Sequence, residues 1–256
     1  HRLLREGVTP VDLRVASDDR PQRYRQPTFK SAPIERLASI TAVGRRYGLC
    51  AAVTRIVSFG TVPPAVREAH AVAAMVDATA IYFSRPGQSV SEVFRRIRRI
   101  YEKFGCPHEW TLSYQGSIIG YNPVELTLTP DSPFQLQANV PIRWTPSVGP
   151  ARSEDTIVVD ERGFEVVTEA QRWPKLEVMV KGFSLPRPGI LFHRNPSLLE
   201  ELNPTSLNDS THKRVRGGQC RDALYPAQVR LSLGLGKRLG WDSFVKDELP
   251  EWKLRP

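Results

Sequence analysis

The side chains best placed to do chemistry gather in the run Arg152-Ser153-Glu154-Asp155-Thr156, where two carboxylates lie between a guanidinium and hydroxyls. Such a pair can hold a cation, act as a general base, or simply anchor arginines in structural ion pairs. Other reactive groupings are missing from the sequence. The five histidines, His1, His70, His108, His193 and His212, form neither an H-x-x-x-H pair nor a Cys-His cluster. Cys50, Cys106 and Cys220 are odd in number and lack C-x-x-C spacing, which excludes a zinc ribbon and a secreted disulfide framework and predicts reduced thiols. Gly234-x-Gly236 has no third glycine, G-x-S-x-G does not occur, and Asp209 and the Glu200-Glu201 pair have no partner at a catalytic spacing.

The elements that must position the carboxylate pair follow from periodicity. Residues 11–16 read as a strand ended by Asp18-Asp19-Arg20-Pro21. Two β-branched runs, 34–41 and 48–59, read as antiparallel neighbours separated by Gly44-Arg45-Arg46-Tyr47. Pro63-Pro64 opens a helix whose apolar positions, from Val66 to Phe83, recur at three- or four-residue steps. A second helix over 90–104 is amphipathic, with Arg95, Arg96, Arg98 and Arg99 on its wet face. From 110 to 180 short strands alternate with glycine and proline. The order predicts an α+β domain with an antiparallel sheet over residues 1–192. Beyond Phe192 the composition shifts, and 193–256 reads as a loosely packed extension.

The composition, 40% apolar and 25% charged, is that of one moderate domain. No segment approaches the roughly 20 apolar residues of a membrane span, and the polar start excludes a signal h-region, so a cytoplasmic protein with no membrane partner is expected. The net charge of +9 is spread over every segment without a nucleic-acid motif, so no specific nucleic-acid partner is expected.

Several short motifs stand in one order: Val53-Thr54-Arg55, the helix after Pro63-Pro64, Arg85-Pro86-Gly87, Gly116-Ser117-Ile118-Ile119-Gly120-Tyr121, Trp144-Thr145-Pro146 and Ser153-Glu154-Asp155-Thr156. In order and spacing they resemble the pita-bread metallopeptidases, the family of methionine aminopeptidase, aminopeptidase P and creatinase. The resemblance implies a curved antiparallel sheet covered by helices, here without the family's opening helices, as in an N-terminally truncated domain. A sheet edge left bare in that way is expected to expose apolar surface and to favour a homodimer.

The resemblance also implies where metal ligands belong, and the residue types do not match. The family's two Asp, one His and two Glu fall on Thr41, Ala52, Ser117, Thr145 and Glu154, so Glu154 alone can serve and no metal ligand set is expected. Instead Arg23, Arg25, Arg46, Arg55 and Arg152 lie in or beside the segments that line the family's pocket, where guanidinium groups can clamp a carboxylate. The expectation is therefore a degenerate, metal-free site for a small carboxylate or peptide-like ligand. Glu154, Asp155 and Arg55 are its candidate catalytic residues. Arg23, Arg25, Arg46, Gln115, Tyr121, Thr145 and Ser147 are its candidate binding residues. Two alternatives stay open: a non-enzymatic peptide- or protein-binding module, and a Mn- or Co-dependent Xaa-Pro-type aminopeptidase in which Asp18, Asp19 or Asp155 joins Glu154 as a ligand.

Overall fold

A computed structural model describes residues 2–28, 30–31 and 33–193; the extension expected over 193–256 lies, apart from His193, outside the described residues. After the short helix α1 (Arg2–Arg5), strand β1 (Thr9–Ser17) runs to a second short helix, α2 (Arg20–Arg23). Strands β2 (Leu37–Arg46) and β3 (Leu49–Phe59) then form a hairpin, with β1 along the outer edge of β2. The turn is tighter and later than the sequence suggests. Tyr47 and Gly48 both take positive φ, 51° and 84°, the geometry of a two-residue hairpin whose twist matches its strands. Gly44, expected in the turn, sits within β2 because Val8 fills the place of its missing side chain; a Cβ there would lie 2.5 Å from Val8 Cγ1.

Helices α3 (Pro64–Phe83) and α4 (Val90–Lys103) follow as the periodicity predicts. Most of α3 is buried, including the run Ala73–Ile81, so this alanine-rich helix lies inside the molecule. The arginines of α4 face outward, and two of their guanidiniums stack on aromatic rings: Arg98 on Trp110 at 4.8 Å and Arg96 on Phe83 at 5.1 Å.

Strands β4 (Gly116–Ile118), β5 (Leu126–Thr127), β6 (Pro141–Trp144), β7 (Ser147–Val148), β8 (Ala151–Arg152), β9 (Asp155–Asp160) and β10 (Gly163–Val166) come next. Of these, β10, β9, β6, β4 and β5 make a five-stranded antiparallel sheet in that order, while β7 and β8 pair separately. The hairpin β11 (Lys175–Val180) and β12 (Phe183–Pro188) follows, and β13 (Ile190–His193) returns parallel to β3 to complete a four-stranded sheet.

One bridge, Thr54 to Glu154, joins the two larger sheets, reinforced by hydrogen bonds between Thr156 Oγ1 and the Ala52 backbone at 2.8 and 3.1 Å. The outcome is one curved surface whose five-stranded part packs Ile142, Trp144, Ile157 and Val159 against α3 and α4. Trp144 closes that core, its ring edge-on to Phe94 and its indole N–H donated to Ser84 Oγ at 2.9 Å. No helix among the described residues is long and apolar enough to cross a membrane.

Candidate functional site

Glu154 stands at the junction of the two sheets and is fully buried. Strand alternation aims it, with Thr156, at the face bearing Thr54 and Ala52, and it aims Asp155 the other way. A buried carboxylate must be hydrogen-bonded or paired, and this one is both. Thr54 Oγ1 donates to Oε2, Thr145 Oγ1 donates to Oε2 at 3.3 Å, and Arg143 Nε donates to Oε1. Thr41 continues the chain of hydroxyls, its Oγ1 lying 2.7 Å from Thr54 Oγ1. Burial opposes the charge on Arg143, but Glu154 outweighs it and holds the guanidinium above its ordinary pKa.

Arg143 carries no role in the sequence reading. It lies in an apolar stretch, two residues before Thr145, and the one signal that could have found it is a charged residue within an otherwise apolar strand. Its register partner on β4 is Ser117. Both Arg143 Nη2 and Ser117 Oγ are buried and without a hydrogen-bond partner among the described residues.

Thr41, Ala52, Ser117, Thr145 and Glu154, the positions at which the resemblance implies metal ligands, do not fit a pair of divalent cations. Only one can offer a carboxylate, and both oxygens of that carboxylate are engaged by protein donors. Nor do the alternative ligands converge on it. Asp18 accepts the backbone N–H groups of Arg36 and Leu37 at 2.7 and 3.1 Å, and Asp19 pairs with Arg23 at 2.5 Å. No group of three or more His, Cys, Asp or Glu side chains gathers anywhere among the described residues.

Asp155 and Arg55 occupy the opposite face, in a buried network. Arg55 Nη2 donates to Asp155 Oδ1 at 2.7 Å, Arg187 Nη2 donates to Asp155 Oδ2 at 2.6 Å, and Arg187 Nε donates to Asp77 Oδ2 at 3.0 Å. Ser153 Oγ also donates to Asp77, at 2.6 Å. Burial raises the Asp77 carboxyl to about 6 even with Arg187 beside it. The network ties α3, β3, β9 and β12 together, and the backbone bonds of Arg55 to Thr54 and Glu154 complete it.

A cleft of about 30 Å3 is lined by Arg14, Arg25, Thr41, Ser147 and Arg152 among others, and Thr41 and Arg152 connect it to Glu154 through Thr54 and Thr145. That volume is room for about two waters, or for the head of an acid whose remainder projects outward. Arg25 spans its rim, donating to Gly149 O at 2.7 Å and to Glu109 Oε1 at 2.9 Å. Arg152 is the unusual group. It is buried, it donates to Thr145 Oγ1 at 3.0 Å and to Arg25 O at 2.9 Å, and it forms no salt bridge among the described residues. Burial, opposed by Glu154 and Tyr114 and aided by Arg143 and Arg14, pulls its pKa down.

The remaining candidates are scattered or already committed. Gln115 accepts from Tyr101 Oη at 2.7 Å and donates to Ser113 O at 2.9 Å, a structural role beneath the cleft. Ser147 Oγ lies 3.2 Å from Ser113 Oγ. Tyr121 is 73% exposed, Arg46 stacks on Tyr47 at the hairpin turn, and Arg23 is exposed against Asp19. The structure thus brings Arg25, Thr145, Ser147, Arg152 and Glu154 into one region and leaves Arg23, Arg46 and Tyr121 outside it.

Among curated proteins no match to the chain was found. Solved structures share its fold. A prolidase from Pyrococcus horikoshii OT3 superposes with a TM-score of 0.61 at 20% identity over 66% of this chain and 51% of its own. An X-Pro aminopeptidase from Thermotoga maritima MSB8 gives 0.61 at 22% identity, over 66% and 51%. The N-terminal domain of the FACT complex subunit SPT16 from chickpea gives 0.54 at 15%, over 64% and 43%. The chain thus spans about half the length of these relatives or less. Residues 23–161, more than half of the chain, match the model of Metallopeptidase family M24. Sequence match and sheet architecture agree: the chain belongs to Metallopeptidase family M24, on the pita-bread fold.

Proposed function

We propose that this M24 chain has exchanged its metal centre for a buried ion pair and holds a small or peptide-like acid without hydrolysing it. The observation that carries this reading is the state of Glu154. Arg143, Thr54 and Thr145 donate to its two oxygens and take up three of a carboxylate's roughly four acceptor positions, which favours a structural ion pair over a cation ligand or a general base. Asp155 is equally engaged, by Arg55, Arg187 and Thr168, on the face away from the cleft. What the cleft supplies is positive charge. Arg152, without a carboxylate partner among the described residues, presents its guanidinium to an incoming carboxylate, Arg14 and Arg25 beside it are paired with Asp12 and Glu109, and the Ser147 hydroxyl adds a neutral donor.

The test is titration calorimetry of the full chain with N-acetylglycine and Gly-Pro, together with an assay for dipeptide cleavage with and without added Mn or Co. The expected result is saturable binding of both acids, weakened roughly tenfold or more in Arg152→Met, with no cleavage in any condition. Cleavage of Gly-Pro that requires the metal would replace this reading with a working aminopeptidase. Binding unchanged by Arg152→Met would remove the cleft from consideration.

A further inference from the structure

The cleft that holds Arg152 changes character with depth. Its buried end is polar, with Thr41, Ser147 and Arg152 set around the small side chains of Ala16 and Ala151. Its exposed end is largely apolar. Tyr24 is 56% exposed there, and Pro27 and Pro150 line it half-buried. Gln26, the exposed polar residue of the lining, is turned aside to accept from Arg14 Nη1 at 2.8 Å.

The segment that carries Tyr24 is tied down on both sides. Its own N–H donates to Arg20 O at 3.0 Å and closes α2, whose Pro21 is buried in the same lining. The Arg20 guanidinium lies 5.9 Å from the centre of the Tyr24 ring. Arg25, the next residue, is bonded across the cleft: Arg152 Nη2 donates to its carbonyl at 2.9 Å, and its own Nη1 donates to Gly149 O at 2.7 Å. A wall already ordered in this way loses little freedom when a ligand settles on it.

The buried end has room for a carboxylate and little more, so whatever that carboxylate is attached to emerges toward Tyr24 and the two prolines. An aromatic or branched group on the α-carbon buries apolar area there, and the hydrogen of a glycine does not. We infer that the cleft takes the C-terminal residue of a peptide or acylated amino acid whose side chain is aromatic or branched aliphatic, with Tyr24 setting that choice. The carboxylate lies at Arg152 and the side chain against Tyr24, Pro27 and Pro150. This inference rests on the acid-holding reading of the same cleft and adds the class of acid.

Calorimetry of the full chain with N-acetylphenylalanine, N-acetylleucine, N-acetylglycine and N-acetylphenylalanine amide tests it. The two larger acids are expected to bind roughly tenfold tighter than N-acetylglycine, and the amide roughly tenfold weaker than its acid. Tyr24→Ala, at an exposed position, should bring the three acids within roughly twofold of one another, whereas Tyr24→Phe, which keeps the ring, should retain the preference. Equal affinity of the three acids for the unaltered chain, or a preference that survives Tyr24→Ala, would overturn this inference and leave the acid-holding reading standing. Failure of every acid to bind, or an amide as tight as its acid, would overturn both.

Discussion

At the scale of single residues, the pairing of Arg143 with Glu154 is part of what holds the two sheets together. In a metal site, ions would bridge the strands; here one guanidinium and two hydroxyls converge on Glu154. Breaking a buried pair from one side strands the other charge, and Arg143→Met or Glu154→Leu alone should therefore destabilise the protein by about 3–5 kcal/mol in urea unfolding. The double variant removes both charges and should lose clearly less than the sum. Additive losses would mean that Arg143 and Glu154 act independently. This half of the site was legible from sequence only on the acidic side. Glu154 stood out because its neighbours matched a motif, and the hydroxyls at Thr41, Ser117 and Thr145 stood out as wrong types for ligands. Arg143 did not stand out, because a strand of apolar residues gives no hint that one charged member will turn inward and meet a carboxylate eleven residues away in sequence.

At the scale of elements, the hairpin that presents Thr41, Ala52 and Thr54 depends on a register set by its turn. Sequence spacing located both strands but put the turn too early, since Gly44 looks like a breaker until Val8 is seen occupying its face. Local pattern cannot report a contact made by a residue thirty-six positions earlier in the chain. Gly44→Ala places a methyl within 2.5 Å of Val8 Cγ1, and overpacking of this kind should cost about 1–3 kcal/mol in thermal or urea unfolding. Combining it with Val8→Ala should recover much of that loss, because the second change removes the clashing methyl groups. The helices were easier. Three- and four-residue steps in α3 and the charged face of α4 are properties of neighbouring residues, so both elements and their order could be read without knowing the tertiary structure.

At the scale of the whole molecule, two buried groups near Arg187 set opposing responses to pH. His70 on α3 bonds the backbone of Pro188, and burial lowers its pKa from 6.5 to about 4. The unfolded chain therefore binds more protons at this residue between pH 4 and 6.5, and its contribution to stability grows as pH rises through that window. Asp77, two helical turns further on, behaves in the opposite sense. Burial raises it from 3.8 to about 6, so the folded state binds more protons between those values and stability falls as pH rises through them. The two windows overlap and the slopes have opposite sign, so the wild-type protein should show a shallow stability profile between pH 4 and 6. Asp77→Asn removes the falling contribution and should leave stability that climbs with pH across this range. His70→Gln removes the rising one and should leave stability that declines. Urea midpoints measured at several pH values check both. Parallel profiles for wild type and both variants would mean that neither group changes its protonation on unfolding, and that the network joining α3 to β9 and β12 is held by charges that stay fixed throughout.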